Sequence, residues 1–144
     1  MQNNPIMEFK SEEEAYACLK YWQERLFLQD WIIKINLVEP DDMNLKEVCG
    51  ENVFCIEQKS CVIKILKPEF YGDRILKYCA EEILIHELLH CKYNWVERDY
   101  NSIEVAYYDT LEHSLLEQMA KSLLMAKYNL SFDWFINFGK TSVQ

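Results

Sequence analysis

Residues 86–90 read His86-Glu87-Leu88-Leu89-His90. Two histidines four positions apart on a helix lie about 40° apart around its axis and one turn along it. Both imidazoles then face the same way and can share one metal ion. Glu87 is rotated about 100° from His86, so its carboxylate reaches a water on that ion without ligating the ion itself. With three histidines in the whole chain, random placement gives this pattern in about 0.7% of such sequences, which makes chance a poor explanation. The plainer alternative is that His86 and His90 are hydrogen-bonded histidines of the core or surface.

A catalytic zinc takes three protein ligands and leaves one position for water. After His90 come Cys91-Lys92-Tyr93-Asn94-Trp95-Val96, with neither a glycine three on nor a histidine six on. The third ligand must therefore come from elsewhere, and the one remaining histidine is His113. On a helical wheel Val105, Ala106, Leu116, Met119, Ala120, Leu123 and Leu124 share one arc of about 100–140°. Asp109 and His113 fall inside that arc, so both are expected to point inward. A buried histidine and a buried aspartate one turn apart need partners. A metal ligand with a carboxylate behind it would satisfy both; a core histidine bonded to Asp109 is the alternative. Glu112, near the edge of the arc, and Glu117, just outside it, are the reserve ligands.

The elements that must position these groups follow from periodicity. Ser11-Glu12-Glu13-Glu14 is a capping box, its acids suited to a helix N-terminus, and Ala15, Cys18, Leu19, Trp22 and Leu26 recur at helical spacing. A helix over about 12–27 is predicted. Trp31 to Val38 reads as a strand ending at Glu39-Pro40, and Asp41 to Glu51 as a connection. Val53–Ile56 and Cys61–Leu66 suggest an antiparallel hairpin without an Asn-Gly turn. From Asp73, a plausible N-cap, apolar residues fall almost all round a helix that holds the two histidines, which predicts a central, buried element. A second long helix is expected from an Asn101-Ser102 cap to about Tyr128. The aromatic tail, with Trp134, Phe135 and Phe138, should pack back on the body as core.

Composition bounds the rest. The 144 residues are half hydrophobic, enough for one domain spanning 1–144 with a core and no disulfides. Lys and Arg number 15 against 24 Asp and Glu, a net charge of −9, which argues against nucleic acid and anionic membranes as partners. No apolar run approaches the length of a membrane span. Met1-Gln2-Asn3-Asn4-Pro5 lacks the basic flank of a signal peptide, so a cytoplasmic location is expected. The six cysteines form no CxxC pair and read as free thiols in a reducing compartment.

His86-Glu87-Leu88-Leu89-His90, followed downstream by Leu111-Glu112-His113-Ser114-Leu115-Leu116-Glu117-Gln118-Met119-Ala120, resembles the small zincin-type metallopeptidases of phages and prophages. It is more distantly similar to the SprT-like peptidases. The likeness spans roughly residues 31 to 125. It implies an α+β, zincin-like domain: an N-terminal helix, a sheet of about three strands with an antiparallel edge, a buried HExxH helix, and a long helix carrying the third ligand. In the phage-type proteins that last helix often carries Glu-Glu where this chain has Glu112-His113, so carboxylate and imidazole both remain readings for the third ligand.

The activity so implied is zinc-dependent hydrolysis of peptide bonds in a protein or peptide substrate, with one Zn²⁺ per chain on His86, His90 and His113. Glu87 acts as general base toward the attacking water and then protonates the leaving amine. One further donor is expected at the oxyanion; Tyr93, Tyr100, Tyr107 and Tyr108 are near in sequence and none is singled out. Cys61–Leu66, taken as the edge strand, would accept an extended substrate through main-chain hydrogen bonds. The alternatives are a non-catalytic regulatory or binding module with a zincin fold and a structural metal, and a hydrolase of non-peptide amides. The substrate and oligomeric state are not specified by the sequence.

Overall fold

The computed structural model describes residues 3–93 and 103–137, with the backbone alone over 103–108. Ser11 opens helix α1 (Glu12–Arg25) by accepting from the Glu14 amide at 3.1 Å. Half of the expected capping box forms: the Glu14 carboxylate takes the Lys10 amide, at 2.9 Å, rather than that of Ser11. Ala15, Cys18, Leu19 and Trp22 are buried, as their spacing predicts. The helix ends at Arg25, short of residue 27, because Phe27 adopts a left-handed conformation (φ 57°) and the Leu28 amide bonds back to Gln23 O at 2.8 Å. That backbone closure satisfies a carbonyl the helix end would otherwise leave open.

Strands β1 (Ile32–Val38), β2 (Gly50–Cys55) and β3 (Ser60–Leu66) form one mixed sheet in the order β1-β3-β2. β2 and β3 make the predicted antiparallel hairpin, Val53 opposite Val62 and Cys55 opposite Ser60. Lys59 supplies the left-handed turn residue (φ 49°) that an Asn-Gly would otherwise provide, and its amide closes on Ile56 O at 3.1 Å. β1 runs parallel to β3, with Ile35 opposite Ile63. The expectation that Cys61–Leu66 is an edge strand is therefore corrected. β1 returns to the far side of β3, which makes β3 central and buries Cys61, Ile63 and Ile65; the antiparallel edge is β2. β2 also starts at Gly50, inside the stretch read as a connection. The polar Glu51 is tolerated there in the interior because its carboxylate takes the Asn44 and Leu45 amides at 2.9 and 2.7 Å.

Helix α2 spans Ala80–Lys92 and touches β2, β3, α1 and the helix that follows. Ile83, Leu84, Ile85, Leu88 and Leu89 are buried on nearly every side of it, as the all-round apolar pattern requires. Its N-cap is Cys79, six residues beyond the expected Asp73. Residues 73–79 instead pair with the chain after the last helix: the Lys77 amide donates to Phe135 O and the Asn137 amide to Ile75 O, both at 2.8 Å. The first turn of α2 is capped by backbone, Ala80 N on Met7 O and Glu81 N on Ile6 O, so no side-chain cap marks it in the sequence.

Helix α3 spans Ile103–Tyr128 and buries Leu116, Ala120, Leu124 and Tyr128. Asn129 (φ 56°) ends it. Phe135 is buried and Trp134 packs on the core, as expected of the tail; Phe138 and the Asn101-Ser102 cap lie outside the described residues. Glu81 fixes the helices to one another. Its carboxylate, fully buried on α2, accepts from Ile6 N, Trp22 Nε1, Lys127 Nζ and Tyr128 Oη at 2.7–2.9 Å. All six cysteines are free. No helix among the described residues is long and apolar enough to cross a membrane.

Candidate metal centre

His86 and His90 occupy successive turns of α2, with ring centroids 5.0 Å apart. His113 reaches them from α3, 6.0 Å from the His86 ring and 5.0 Å from that of His90. One ligand atom from each of the three lies within 4.8 Å of the other two. Three imidazoles converging from two helices can hold one metal ion, and nitrogen donors of this kind suit first-row cations.

The stripe Asp109, His113, Leu116, Ala120, Leu124 does face α2, yet Asp109 and His113 are exposed rather than buried. The C-terminal half of the stripe meets the apolar side of α2. Its N-terminal half meets the histidines at the mouth of a cleft. No hydrogen bond or ion pair joins Asp109 to His113 among the described residues, so the carboxylate expected behind His113 is not there. Of the reserve ligands, Glu112 lines the cleft. Glu117 engages His86 instead, its Oε1 lying 2.7 Å from Nδ1. The carboxylate therefore stands against the buried Nδ1 at ion-pair distance. Three imidazoles whose ligand atoms converge this closely fit a site for a cation.

Charges around the rings are arranged in a relay. Lys121 lies 2.7 Å from Glu117 Oε2 and 3.6 Å from Glu82 Oε2. Burial by itself would raise Glu117, but His86 and Lys121 outweigh it and pull the carboxyl down to about 2. Burial would lower His86, and there the carboxylates of Glu117, Glu87 and Glu82 prevail and raise it. His90 is pushed down to about 4, first by burial and then by the other two histidines. It is therefore neutral near pH 7, the form that binds metal.

Glu87 is 6% exposed, and burial lifts its carboxyl to about 7. No hydrogen bond from a described residue reaches that carboxylate. Its slot exists because residue 50 is glycine: a Cβ there would lie 2.8 Å from Glu87 Oε2 and 2.6 Å from Ile83 Cγ2. Two places along β2, Asn52 donates from Nδ2 to the Glu87 carbonyl at 2.8 Å and to Cys91 Sγ at 3.2 Å. β2, the segment 71–79, α2 and α3 enclose a cleft of roughly 620 Å³ over these groups.

Gly50, Asn52, Glu82 and Lys121 were not singled out from sequence. Glu82 and Lys121 had a signal, each standing four residues from a site residue, His86 and Glu117 respectively. Gly50 and Asn52 had none, since their approach to α2 depends on the sheet. Among the described residues Tyr71 and Tyr78 line the cleft and Tyr93 does not, and the hydroxyls of the first two donate to Leu76 O and Leu66 O. Tyr100 and the side chains of Tyr107 and Tyr108 lie outside the described residues. Comparison with protein-family models, curated proteins and solved structures finds no match to the chain.

Proposed function

We propose that the chain is a zinc-dependent metallopeptidase with a small zincin-like fold, acting on an extended protein or peptide segment in the cytoplasm. The observation that carries this is the conjunction of three converging imidazoles with a buried glutamate next to one of them in sequence. A purely structural metal has no use for Glu87. Zinc held by His86, His90 and His113 would supply a water of pKa near about 7 and a Lewis acid for the carbonyl oxygen.

The chain's own groups account for the remainder. Glu87, with its carboxyl near 7 through burial, is matched to taking a proton at neutral pH and returning it to the leaving amine. Glu117, held ionised beside Lys121, orients His86 as an outer-shell carboxylate does for a ligating histidine. β2 is the sheet edge that borders the cleft. Its outer main-chain groups, unpaired among the described residues, suit β-addition of a substrate strand. Net charge of −9 favours neutral or basic segments over nucleic acid.

The test is elemental analysis of the purified protein together with hydrolysis of a peptide library by wild type and Glu87→Gln. About one zinc per chain in both, with cleavage only in the wild type, is expected. Cleavage undiminished in the variant removes the proposed base. A metal-loaded wild type that cuts nothing, but melts lower after chelation, identifies a metal-stapled binding module instead.

A further inference from the structure

A pair of thiols lies against the helix that bears the histidines. Cys91 follows His90 on the last turn of α2, and Cys61 sits on the central strand β3. Their sulfurs are 3.8 Å apart, the one thiol–thiol contact among the described residues. Cys61 is 6% exposed, whereas Cys91 is half-buried and takes the Asn52 amide at 3.2 Å. The same amide holds the carbonyl of Glu87, and Asn52 Oδ1 is buried with no partner. Cys91, Asn52 and Glu87 are thus joined by one side chain between sheet and helix.

A disulfide brings two sulfurs to about 2.05 Å, so closure requires an approach of about 1.7 Å, shared between two side-chain rotations. Neither residue is held away by a competing covalent or metal bond, and both elements are fixed in the core. The other thiols lack this arrangement: among the described residues no second sulfur lies against Cys18, Cys49, Cys55 or Cys79, and Cys49 is engaged by Arg74 Nη1 at 3.1 Å.

We infer that Cys61 and Cys91 form a redox-modification site, a dithiol that a hydroperoxide converts to a disulfide tying the His90 end of α2 to the sheet. The more accessible Cys91 thiol reacts first: its sulfur attacks the peroxide, the O–O bond breaks, and sulfenic acid and one water result. Cys61 then attacks the Cys91 sulfur, the S–OH bond breaks, and a second water leaves with the Cys61 proton. Overall two thiols and one H₂O₂ give one disulfide and two waters, each sulfur losing one electron. The bond draws the Cys91 sulfur from the Asn52 amide and changes the surroundings of His90, the next residue.

The experiment treats the full-length protein with a few equivalents of hydrogen peroxide, quenches free thiols, and digests after lysine. A product 2 Da lighter should appear, its cross-link joining Ser60–Lys64 to Tyr78–Lys92. Fragment ions should place the bond on Cys91 rather than Cys79, and dithiothreitol should reverse it. The ring resonances of His90 in the metal-free protein should shift on oxidation and return on reduction. Cys61→Ser should abolish both effects, and wild-type mapping alone decides if that variant does not fold. Overoxidation of Cys91 without a cross-link, a bond between other cysteines, or a 61–91 bond that leaves the His90 resonances unmoved would each overturn the inference. None of these outcomes depends on whether the chain hydrolyses peptides.

Discussion

Gly50→Ala isolates the packing that gives Glu87 its place. The φ angle of Gly50 is outside the left-handed region, so alanine meets no backbone penalty there. At such a position a glycine-to-alanine change ordinarily stabilises by about 0.4–1 kcal/mol through the unfolded state. Here the new Cβ would stand 2.6 Å from Ile83 Cγ2 and 2.8 Å from Glu87 Oε2, where ordinary contact begins at 3.4 Å. The isoleucine must retreat by about 0.8 Å and the carboxylate by about 0.6 Å. Ile83 is anchored in the core, whereas the carboxylate is the free end of its side chain and gives way more easily. Overpacking costs about 1–3 kcal/mol, so the net expectation is a loss of about 1–2 kcal/mol, opposite in sign to the usual substitution. Urea unfolding at unchanged m-value measures it, with a fall in Tm of about 3 °C per kcal/mol at this chain length. Metal content should stay at the wild-type level, since Gly50 touches no ligand. Hydrolysis should fall by about tenfold or more, because misplacing a catalytic group by 1 Å costs about a hundredfold. A variant as stable as wild type or more so would refute the claim that β2 is pressed against Glu87.

Glu81→Leu strands Trp22 Nε1, Tyr128 Oη and Lys127 Nζ at once, and denaturant unfolding should show a loss of about 3–5 kcal/mol; a loss below about 1 kcal/mol would mean those donors find other partners. His113→Ala should weaken zinc binding by more than about 100-fold in chelator competition, and Glu117→Gln by about 10–100-fold, the range for outer-shell partners. Glu112→Ala should bind like wild type, and the reverse order for Glu112 and His113 would transfer the ligand role to the carboxylate. In the metal-free protein, NMR titration should find His90 protonating only near pH 4, and His86 above its ordinary value. Because the folded value of His90 lies below its unfolded one, its contribution to stability is present above about pH 6.5 and is lost as pH falls toward 4. Glu82 and Glu87, both raised to about 7, act with the opposite sign as pH rises from about 4.5 through 7. Site-resolved titration is therefore the measurement, and a His90 pKa near 6.5 would contradict the packing of the three rings.

Local pattern made most of the elements legible. The buried face of α1, the β2–β3 hairpin and the all-round burial of α2 follow from spacing that a single element imposes on itself. The errors occur where the decisive partner is remote. Ile75, Leu76 and Tyr78 extend the apolar pattern of α2 upstream, but their segment pairs with Phe135 and Asn137 across the molecule, and nothing between 73 and 79 encodes that. Whether β1 lands beside β2 or beyond β3 is likewise a choice of topology, and it turned the supposed edge strand Cys61–Leu66 into the middle of the sheet.

The same division runs through the candidate site. Its three imidazoles were legible because two share a helix turn and the third lies on a readable stripe. That stripe gave direction but not depth: a face continuous from Asp109 to Leu124 can be covered along part of its length only, and exposure at the cleft end is what leaves His113 able to meet a cation. Depth acts on the carboxylates of the cleft as well, raising Glu82 and, next to the histidine, Glu87. The raised pKa of Glu87 comes from burial, its burial from the closeness of β2, and that closeness from a side chain missing at Gly50 and an amide supplied by Asn52. The histidines that could hold a metal are thus encoded along α2 and α3, while the surroundings that raise Glu87 are encoded in a strand some 35 positions earlier. Under the proposed function, a chain could keep all three histidines and still lose hydrolysis through position 50 alone. Metal content and turnover must therefore be measured separately in every variant of β2.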